Sequence, residues 1–329
     1  MGTATLQDLG EIEAIRRLAR RLHGRPDVRV GIGDDAAVVR VPGSDSDWAL
    51  TSDPVIEGTH FRPGERGRRV GHKAVGRVLS DLAAMGAQPD WILIDVVARD
   101  GTPWPWMDEV YRGAEALARR HGAAIVGGDL ARGPAVELHV FGVGRVPRGR
   151  ACRRRGARPG DRLYVTGALG GSAAGRHLDF EPRVREGRFL RRGGWVTAMM
   201  DVSDGLSTDL RRLLAESGVG ADVRAASVPA SRPARSCRDG RSPLDHALCD
   251  GEDFELLFTV PRRKAAAFER AWRRAFRLRC TGIGEITRDS GFLRLLDADG
   301  RPQRWPGRGY EHFISAPRPP LPAAGGRRR

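Results

Sequence analysis

The chain has 329 residues, 40% of them apolar and 29% charged, with a formal net charge of +15. That size and balance suit two ordinary domains with a buried core and argue against a single small binding module. No stretch approaches the ~20 apolar residues of a membrane-spanning helix, and residues 1–8 lack a basic segment followed by an apolar one, so neither a membrane protein nor a secretory leader is expected and a cytoplasmic location is. Cys152, Cys237, Cys249 and Cys280 contain no Cys-x-x-Cys pair, a pattern that suggests neither a disulfide framework nor a zinc cluster. Only Lys73 and Lys264 are lysines; the remaining basic residues are arginines spread along the chain with no recognition motif, so neither nucleic acid nor a membrane is the expected partner.

In chain order, Leu9, Ile12, Ile15, Leu18, Ala19 and Leu22 recur every three or four positions and predict an amphipathic helix over 9–22. Short β-type runs at 36–41 and 48–52 flank a Pro-Gly-Ser-Asp turn and predict a hairpin. Val75, Val78, Leu79, Leu82 and Met85 form the stripe of a helix over 72–85, with Asp81 ~100° from the stripe's centre and so able to face a cleft. A strand at 91–98, a helix at 107–121 and strands near 124–126 and 135–143 complete a mixed α/β unit.

Eight arginines crowd 145–162 among prolines and glycines, reading either as a solvated linker or as a phosphate clamp. Beyond it the alternation resumes: a strand at 162–166, a glycine-rich turn, a helix from Ser172, a leucine-striped helix at 207–217 ending at Gly218, a strand at 254–260 and a helix at 265–276. Residues 315–329 are proline, alanine, glycine and arginine with too few apolar groups to fold, and disorder is expected there.

Carboxylates gather where these elements end: Asp34 and Asp35 after a Gly-x-Gly turn, Asp53 after a strand, Asp81 on its helix, and Asp129 after Gly127-Gly128. Such a set suits Mg²⁺, which takes oxygen ligands and shares them with phosphates. A single aspartate in a turn is ordinarily a local hydrogen-bonding residue, but Asp34-Asp35 opposite Asp53 would repel unless a cation lay between them. The Gly31–Ala36 run superficially fits a dinucleotide fingerprint; two carboxylates would face the pyrophosphate and a strand follows, so that reading fails. Neither lysine follows a glycine, which excludes a Walker phosphate loop. In Asp201-Val202-Ser203-Asp204-Gly205-Leu206 either Ser203 or Asp204 is expected to cap the following helix, with a surplus carboxylate and hydroxyl able to hold metal or phosphate. Asp250-Gly251-Glu252-Asp253 reads as turn residues.

Gly31-Ile32-Gly33-Asp34-Asp35-Ala36-Ala37-Val38, Asp53-Pro54-Val55-Ile56-Glu57-Gly58-Thr59-His60-Phe61 and Leu79-Ser80-Asp81-Leu82-Ala83-Ala84-Met85-Gly86-Ala87 continue through Gly127-Gly128-Asp129 and the Asp201–Leu206 run. With Gly251-Glu252-Asp253-Phe254-Glu255-Leu256-Leu257-Phe258 and Gly309-Tyr310-Glu311-His312-Phe313, this ordered series resembles the thiamine-monophosphate kinase family, within the ATP-binding superfamily that includes aminoimidazole ribonucleotide synthetase. The resemblance covers nearly the whole chain before the tail. It implies a two-domain α/β fold: an N-terminal ATP/Mg-binding and dimerisation domain (1–148) with a mixed sheet, and a C-terminal α/β domain (149–314). It also implies a homodimer and direct in-line transfer of the ATP γ-phosphoryl group to thiamine monophosphate, assisted by several Mg²⁺ ions. By position in the motifs, Asp35, Thr51, Ser52, Asp53, Asp81, Asp129, Asp201 and Asp204 resemble the metal-binding set, with Asp53, Asp81, Asp129 and Asp204 the catalytic carboxylates. Gly128, Asp129, Arg154 and Ser203 resemble the ATP contacts, and His60, Glu252 and Tyr310 the thiamine-monophosphate contacts.

The sequence departs from the family pattern at Pro54, at Leu130 where threonine is usual, at Gly171 where aspartate is frequent, and at Cys249-Asp250, which replaces a small pair before Glu252. Two alternatives stay open: another ATP-dependent enzyme of the superfamily with a different acceptor, and an Arg-rich polyanion binder on a degenerate kinase fold. A selenophosphate synthetase is disfavoured because no cysteine precedes the Gly31 loop.

Overall fold

The computed structural model describes residues 4–307, 309, 310 and 313; the tail at 315–329, and Glu311 and His312, lie outside them. The chain builds two seven-stranded sheets in succession. The first contains β1 (Val28–Val30), β2 (Ala37–Arg40), β3 (Ser46–Ile56), β4 (Gln88–Ala98), β5 (Ala124–Gly127), β6 (Leu130–Arg132) and β7 (Glu137–Pro147) in the order β1-β2-β3-β7-β4-β5, with β6 also beside β4. Its helices are α1 (Leu6–Ala19), α2 (Gly67–Ala84) and α3 (Trp104–Arg120). The second sheet, β14-β13-β10-β12-β8-β11-β9, comprises β8 (Arg162–Thr166), β9 (Ala198–Val202), β10 (Gly220–Arg224), β11 (Glu255–Val260), β12 (Cys280–Thr287), β13 (Leu293–Leu296) and β14 (Pro302–Gln303). Helices α4 (Val184–Arg192), α5 (Leu206–Ser217), α6 (Arg232–Ser236), α7 (Pro243–Cys249) and α8 (Arg262–Ala275) accompany it.

The expected hairpin is β2–β3, antiparallel with Ala37 opposite Leu50. Strand β3 then outruns β2 and pairs along its whole length with β7, placing Pro54 opposite His139. Pro54 has no N–H to donate, and it sits where β3 has lost its β2 neighbour, so the substitution leaves the ladder intact.

Three expectations need correction. The first helix begins at Leu6, where Thr5 and Asp8 form a capping box, and it bends at Gly10, whose φ is 69°. No α-helix starts at Ser172: two short 3₁₀ turns occupy Ser172–Ala174 and Arg176–Leu178, separated by Gly175 at φ 125°, which cannot continue a right-handed helix. Neither Ser203 nor Asp204 caps α5. The N-cap is Gly205, at φ 97° and without a side-chain cap bond, and the Asp209 carboxylate accepts the Asp204 N–H at 2.9 Å instead.

Helix α2 holds the two halves together. Its Val75, Val78, Leu79 and Leu82 stripe packs as expected, but the helix starts earlier, at Gly67, and is buried on nearly every side. One core joins α2 and the first sheet to Met199, Leu256 and Phe258 of the second. The early start reflects its crossing with α3: a Cβ on Gly71 would stand 1.8 Å from the Val110 carbonyl oxygen, and one on Gly113 1.9 Å from that of Arg68. Backbones this close admit no methyl group. Gly71→Ala is expected to destabilise the fold by about 1–3 kcal/mol through overpacking, read as a lower denaturant midpoint with an unchanged slope.

Candidate active site

Three charged residues of α2 lie on one seam. Lys73, Arg77 and Asp81 are spaced four apart, so their side chains follow one another along the helix. Lys73 is fully buried; its ammonium donates to the His60 carbonyl at 2.6 Å and pairs with Glu252 at 2.5 Å. Arg77 pairs with Asp53 at 2.9 Å and approaches Glu252 at 3.9 Å. Asp81 accepts the Thr51 hydroxyl at 2.5 Å, and on the adjacent residue the Ser80 hydroxyl donates to Asp201 of β9 at 2.5 Å.

At the far end of the seam, ligand oxygens of Asp35, Asp81 and Asp201 all lie within 4.8 Å of one another. Arg154 is the cation packed against them: its guanidinium donates to Asp35 at 2.8 Å, and its backbone N–H donates to the Asp34 carboxylate at 3.2 Å. One arginine leaves the set under-neutralised. Burial, followed by the Asp35 charge, raises Asp34 to about 7; burial and the same neighbour raise Asp201 to about 7. Asp81, enclosed and facing Asp53 and Asp201, is held well above the ordinary carboxylate range. One buried oxygen of Asp35 has no hydrogen-bond partner. An orphaned acceptor amid repelling carboxylates fits a hard divalent cation. At the other end burial draws the Lys73 ammonium down to about 8.

The turn before β11 is more than turn residues. Glu252 and Phe254 both adopt left-handed backbone, at φ 63° and 51°, conformations that non-glycine residues hold only when their surroundings fix them. The fixing contacts are Glu252 N–H to the Ser203 carbonyl at 2.6 Å, Phe254 N–H to Val202 at 2.8 Å, and the buried Asp253 carboxylate accepting from Gly170 N–H at 2.8 Å and the Ser172 hydroxyl at 2.5 Å. Two departures from the family pattern meet here: the Asp250 carboxylate accepts the Gly171 N–H at 2.8 Å. A Cβ at Gly171 would lie 2.6 Å from the Ala234 nitrogen. Tyr310 reaches the site from the chain's end, its N–H donating to the Asp204 carbonyl at 2.9 Å. A Cβ on Gly309 would fall 1.9 Å from that same oxygen.

The structure therefore gathers Asp35, Thr51, Asp53, Asp81, Asp201, Arg154, His60 and Glu252 along one seam, with Ser203, Asp204 and Tyr310 beside it. Asp204 is paired with Arg212. Ser52 is not brought in: alternation along β3 sends its side chain, with Trp48 and Leu50, to the exposed face. Asp129 and Gly128 lie on an exposed connection between β5 and β6, outside the triad. Gly128, at φ 150°, is backed onto β4, where a Cβ would stand 1.9 Å from the Ile94 oxygen. Sequence reasoning missed Lys73, Arg77 and Asp209. The four-residue ladder 73–77–81 was readable, as was the oddity of a lysine in an arginine-dominated chain; Asp209 carried no comparable signal.

Two α/β units sharing carboxylates across their junction define the class as an AIR synthase related protein: residues 33–146 match the N-terminal domain family of that description and residues 158–295 its C-terminal domain family. Thiamine-monophosphate kinase of Rhodopirellula baltica is 42% identical over 264 residues, 77% of this chain and 82% of that protein. The Escherichia coli K12 enzyme of the same name is 35% identical over 93% of this chain and 99% of its own. Among solved structures, AaThiL complexed with AMPPCP and TMP superposes with a TM-score of 0.83 at 29% identity, covering 95% of this chain and all of that one. The chain belongs to the thiamine-monophosphate kinase family.

Raised carboxylate values set the sign of a pH effect. Between the ordinary aspartate value of 3.8 and about 7, the folded chain holds protons on Asp34 and Asp201 that the unfolded chain has released. Their contribution to stability is therefore full below that window and lost as pH rises through about 7. In chelator, the melting temperature should fall from about pH 5 to about pH 8. Asp201→Asn, which keeps an acceptor for Ser80, should flatten that slope and raise metal-free stability at the upper pH by about 0.5–2 kcal/mol.

Proposed function

We propose that this chain transfers the γ-phosphoryl group of ATP to the phosphate of thiamine monophosphate, giving thiamine diphosphate and ADP. The acceptor's phosphate oxygen bonds to the γ-phosphorus as the bond to the β–γ bridging oxygen breaks, in line and without a phospho-enzyme. Anion meets anion in this reaction, so the protein's work is positioning and charge neutralisation. The observation that carries the reading is the seam itself: a repelling carboxylate set at one end and a Lys73–Glu252–His60 cluster at the other.

Mg²⁺, held by Asp35, Asp81 and Asp201 with Asp53, Thr51 and Asp204 as further ligands, would supply neutralisation of the phosphate oxygens. Arg154, Gly128 and Ser203 are assigned to ATP: a buried guanidinium, a backbone without a side chain and a free-standing hydroxyl suit a polyphosphate. His60, Glu252 and Tyr310 are assigned to thiamine monophosphate. Glu252 offers a carboxylate to the cationic heterocycle, and Tyr310 an aromatic face. Lys73 and Arg77 orient Glu252 and Asp53. Four free thiols suit a reducing, cytoplasmic setting, and no helix among the described residues is long and apolar enough to cross a membrane.

A second copy of the chain is the proposed partner. Trp48, Leu50, Trp91, Leu93 and Phe141 stand exposed on the outer face of the first sheet, where Trp48 and Trp91 meet edge to face at 5.7 Å. Such a contiguous apolar sheet face is suited to burial against its own copy. Leu93→Asp is expected to shift the chain to monomer in sedimentation velocity; an unaltered dimer would place the interface elsewhere.

With Mg²⁺ and ATP, thiamine diphosphate should form from thiamine monophosphate and not from free thiamine, and not without metal. Asp53→Asn and Asp81→Asn should each lower turnover at least ~100-fold while the fold persists. Metal-dependent ATP binding without product would redirect the search to another acceptor.

A further inference from the structure

A second set of metal-type side chains lies outside the phosphotransfer seam, on the loop and helix that precede Asp250. A sulfur of Cys237, a carboxylate oxygen of Asp239 and a ring nitrogen of His246 lie mutually within 4.8 Å. The spacing Cys-x-Asp-x₆-His escapes any search for paired cysteines, because a single cysteine contributes.

The local fold explains why these three meet. Gly240, at φ 89°, reverses the chain after Asp239. Ser242 then caps α7 with a full capping box to Asp245, and Pro243 takes the first helical position. That fixes the start of α7, and His246, one turn in, is turned inward and buried. Its two ring nitrogens face two different carboxylates: Nδ1 lies 2.9 Å from Asp250 and Nε2 3.1 Å from Asp239. The Arg241 guanidinium lies 2.8 Å from the same Nδ1 and also pairs with Asp250.

A neutral imidazole carries one N–H and satisfies one of these carboxylates. Arg241 can only donate, so without an ion Nδ1 accepts from it and the Nε2–H faces Asp239; an ion that takes the Nε2 lone pair moves the proton to Nδ1, which then donates to Asp250 while Arg241 withdraws onto that same carboxylate, with Cys237 alongside the ion. In that arrangement the carboxylate on the far side of the ring orients a ligating histidine. We propose that Cys237, Asp239 and His246 Nε2 bind one zinc-class divalent ion, with Asp250 as the orienting carboxylate and water in the fourth position.

The donor set selects the ion. A thiolate and an imidazole suit zinc and its neighbours, whereas magnesium takes oxygen. Bonds of about 2.3 Å to sulfur and about 2.0–2.2 Å to nitrogen and oxygen bring tetrahedral ligands under ~4 Å apart. Closure therefore requires shifts on the order of 1 Å, which the exposed Asp239 loop can supply. The ion would tie the loop carrying Cys237 and Asp239 to α7. Through Asp250 it would also hold the Gly171 turn and the strained Glu252 segment. The proposal stands apart from the phosphotransfer reading: it holds whichever acceptor the seam serves.

The test uses the full chain, stripped with chelator, kept reduced and saturated with Mg²⁺ so that the oxygen sites are filled. Titration with Co²⁺ should give a thiolate-to-metal charge-transfer band and intense visible d–d bands that saturate at one equivalent and are displaced by Zn²⁺. Cys237→Ser should abolish the charge-transfer band. Asp239→Asn, an exposed change that does not threaten folding, should keep the band but weaken Co²⁺ binding at least ~10-fold. Cys249→Ser should leave both unchanged. A wild-type chain without the band, or a band that survives Cys237→Ser, overturns the proposal and leaves His246 as a hydrogen-bonded ring between Arg241 and Asp239.

Discussion

Three aspartates, one from the loop before β2, one from α2 and one from β9, held within 4.8 Å of one another between two sheets, are an arrangement that repels itself, and most of the surrounding architecture serves to maintain it. Bringing carboxylates out of water next to one another opposes folding unless cations or hydrogen-bond donors compensate. The compensation here is partial: Arg154 on Asp35, Thr51 on Asp81 and Ser80 on Asp201. What forces the three together is the apolar burial of α2, whose sides pack on α3, the first sheet and the second. The deficit left by those donors is what makes the site receptive to added positive charge.

The same helix explains how far the sequence could be read. The acidic motifs were legible because each combines a carboxylate with a glycine or small residue that marks the end of an element, and those ends are where two sheets can share a cleft. The hairpin, α3 and α5 were legible from apolar periodicity. Lys73 and Arg77 were not, because a helix read by its apolar stripe is assumed to put its charges in water. Here the opposite face is covered by a second sheet formed more than a hundred residues later, and the charges are enclosed with their partners.

Failures elsewhere have equally local causes. Glycine-rich text after β8 looked like the run-up to a helix, but Gly171 and Gly175 lie at positive φ, and the segment makes tight turns that present backbone N–H groups to Asp250 and Asp253. Asp250-Gly251-Glu252-Asp253 looked like solvent-facing turn chemistry, yet Asp253 is buried and two of its neighbours are held in left-handed backbone. Ser52 illustrates the reverse: a motif position whose side chain, by strand alternation, stands on the far face of its sheet. The arginine-rich stretch fits neither of its two readings cleanly, since Arg145 closes a strand while Arg154 turns inward.

The hydrogen bond from Ser80 to Asp201 spans 121 residues of chain, and Tyr310 docks on Asp204 from near the very end. Loop-closure entropy makes contacts of such separation slow to form and late. During synthesis the first sheet and α2 emerge well before β9 exists, so α2 waits with one side uncovered, Lys73 and Arg77 in reach of His60 and Asp53 but not yet of Glu252. The seam is therefore complete only once Asp201 and Glu252 have been made.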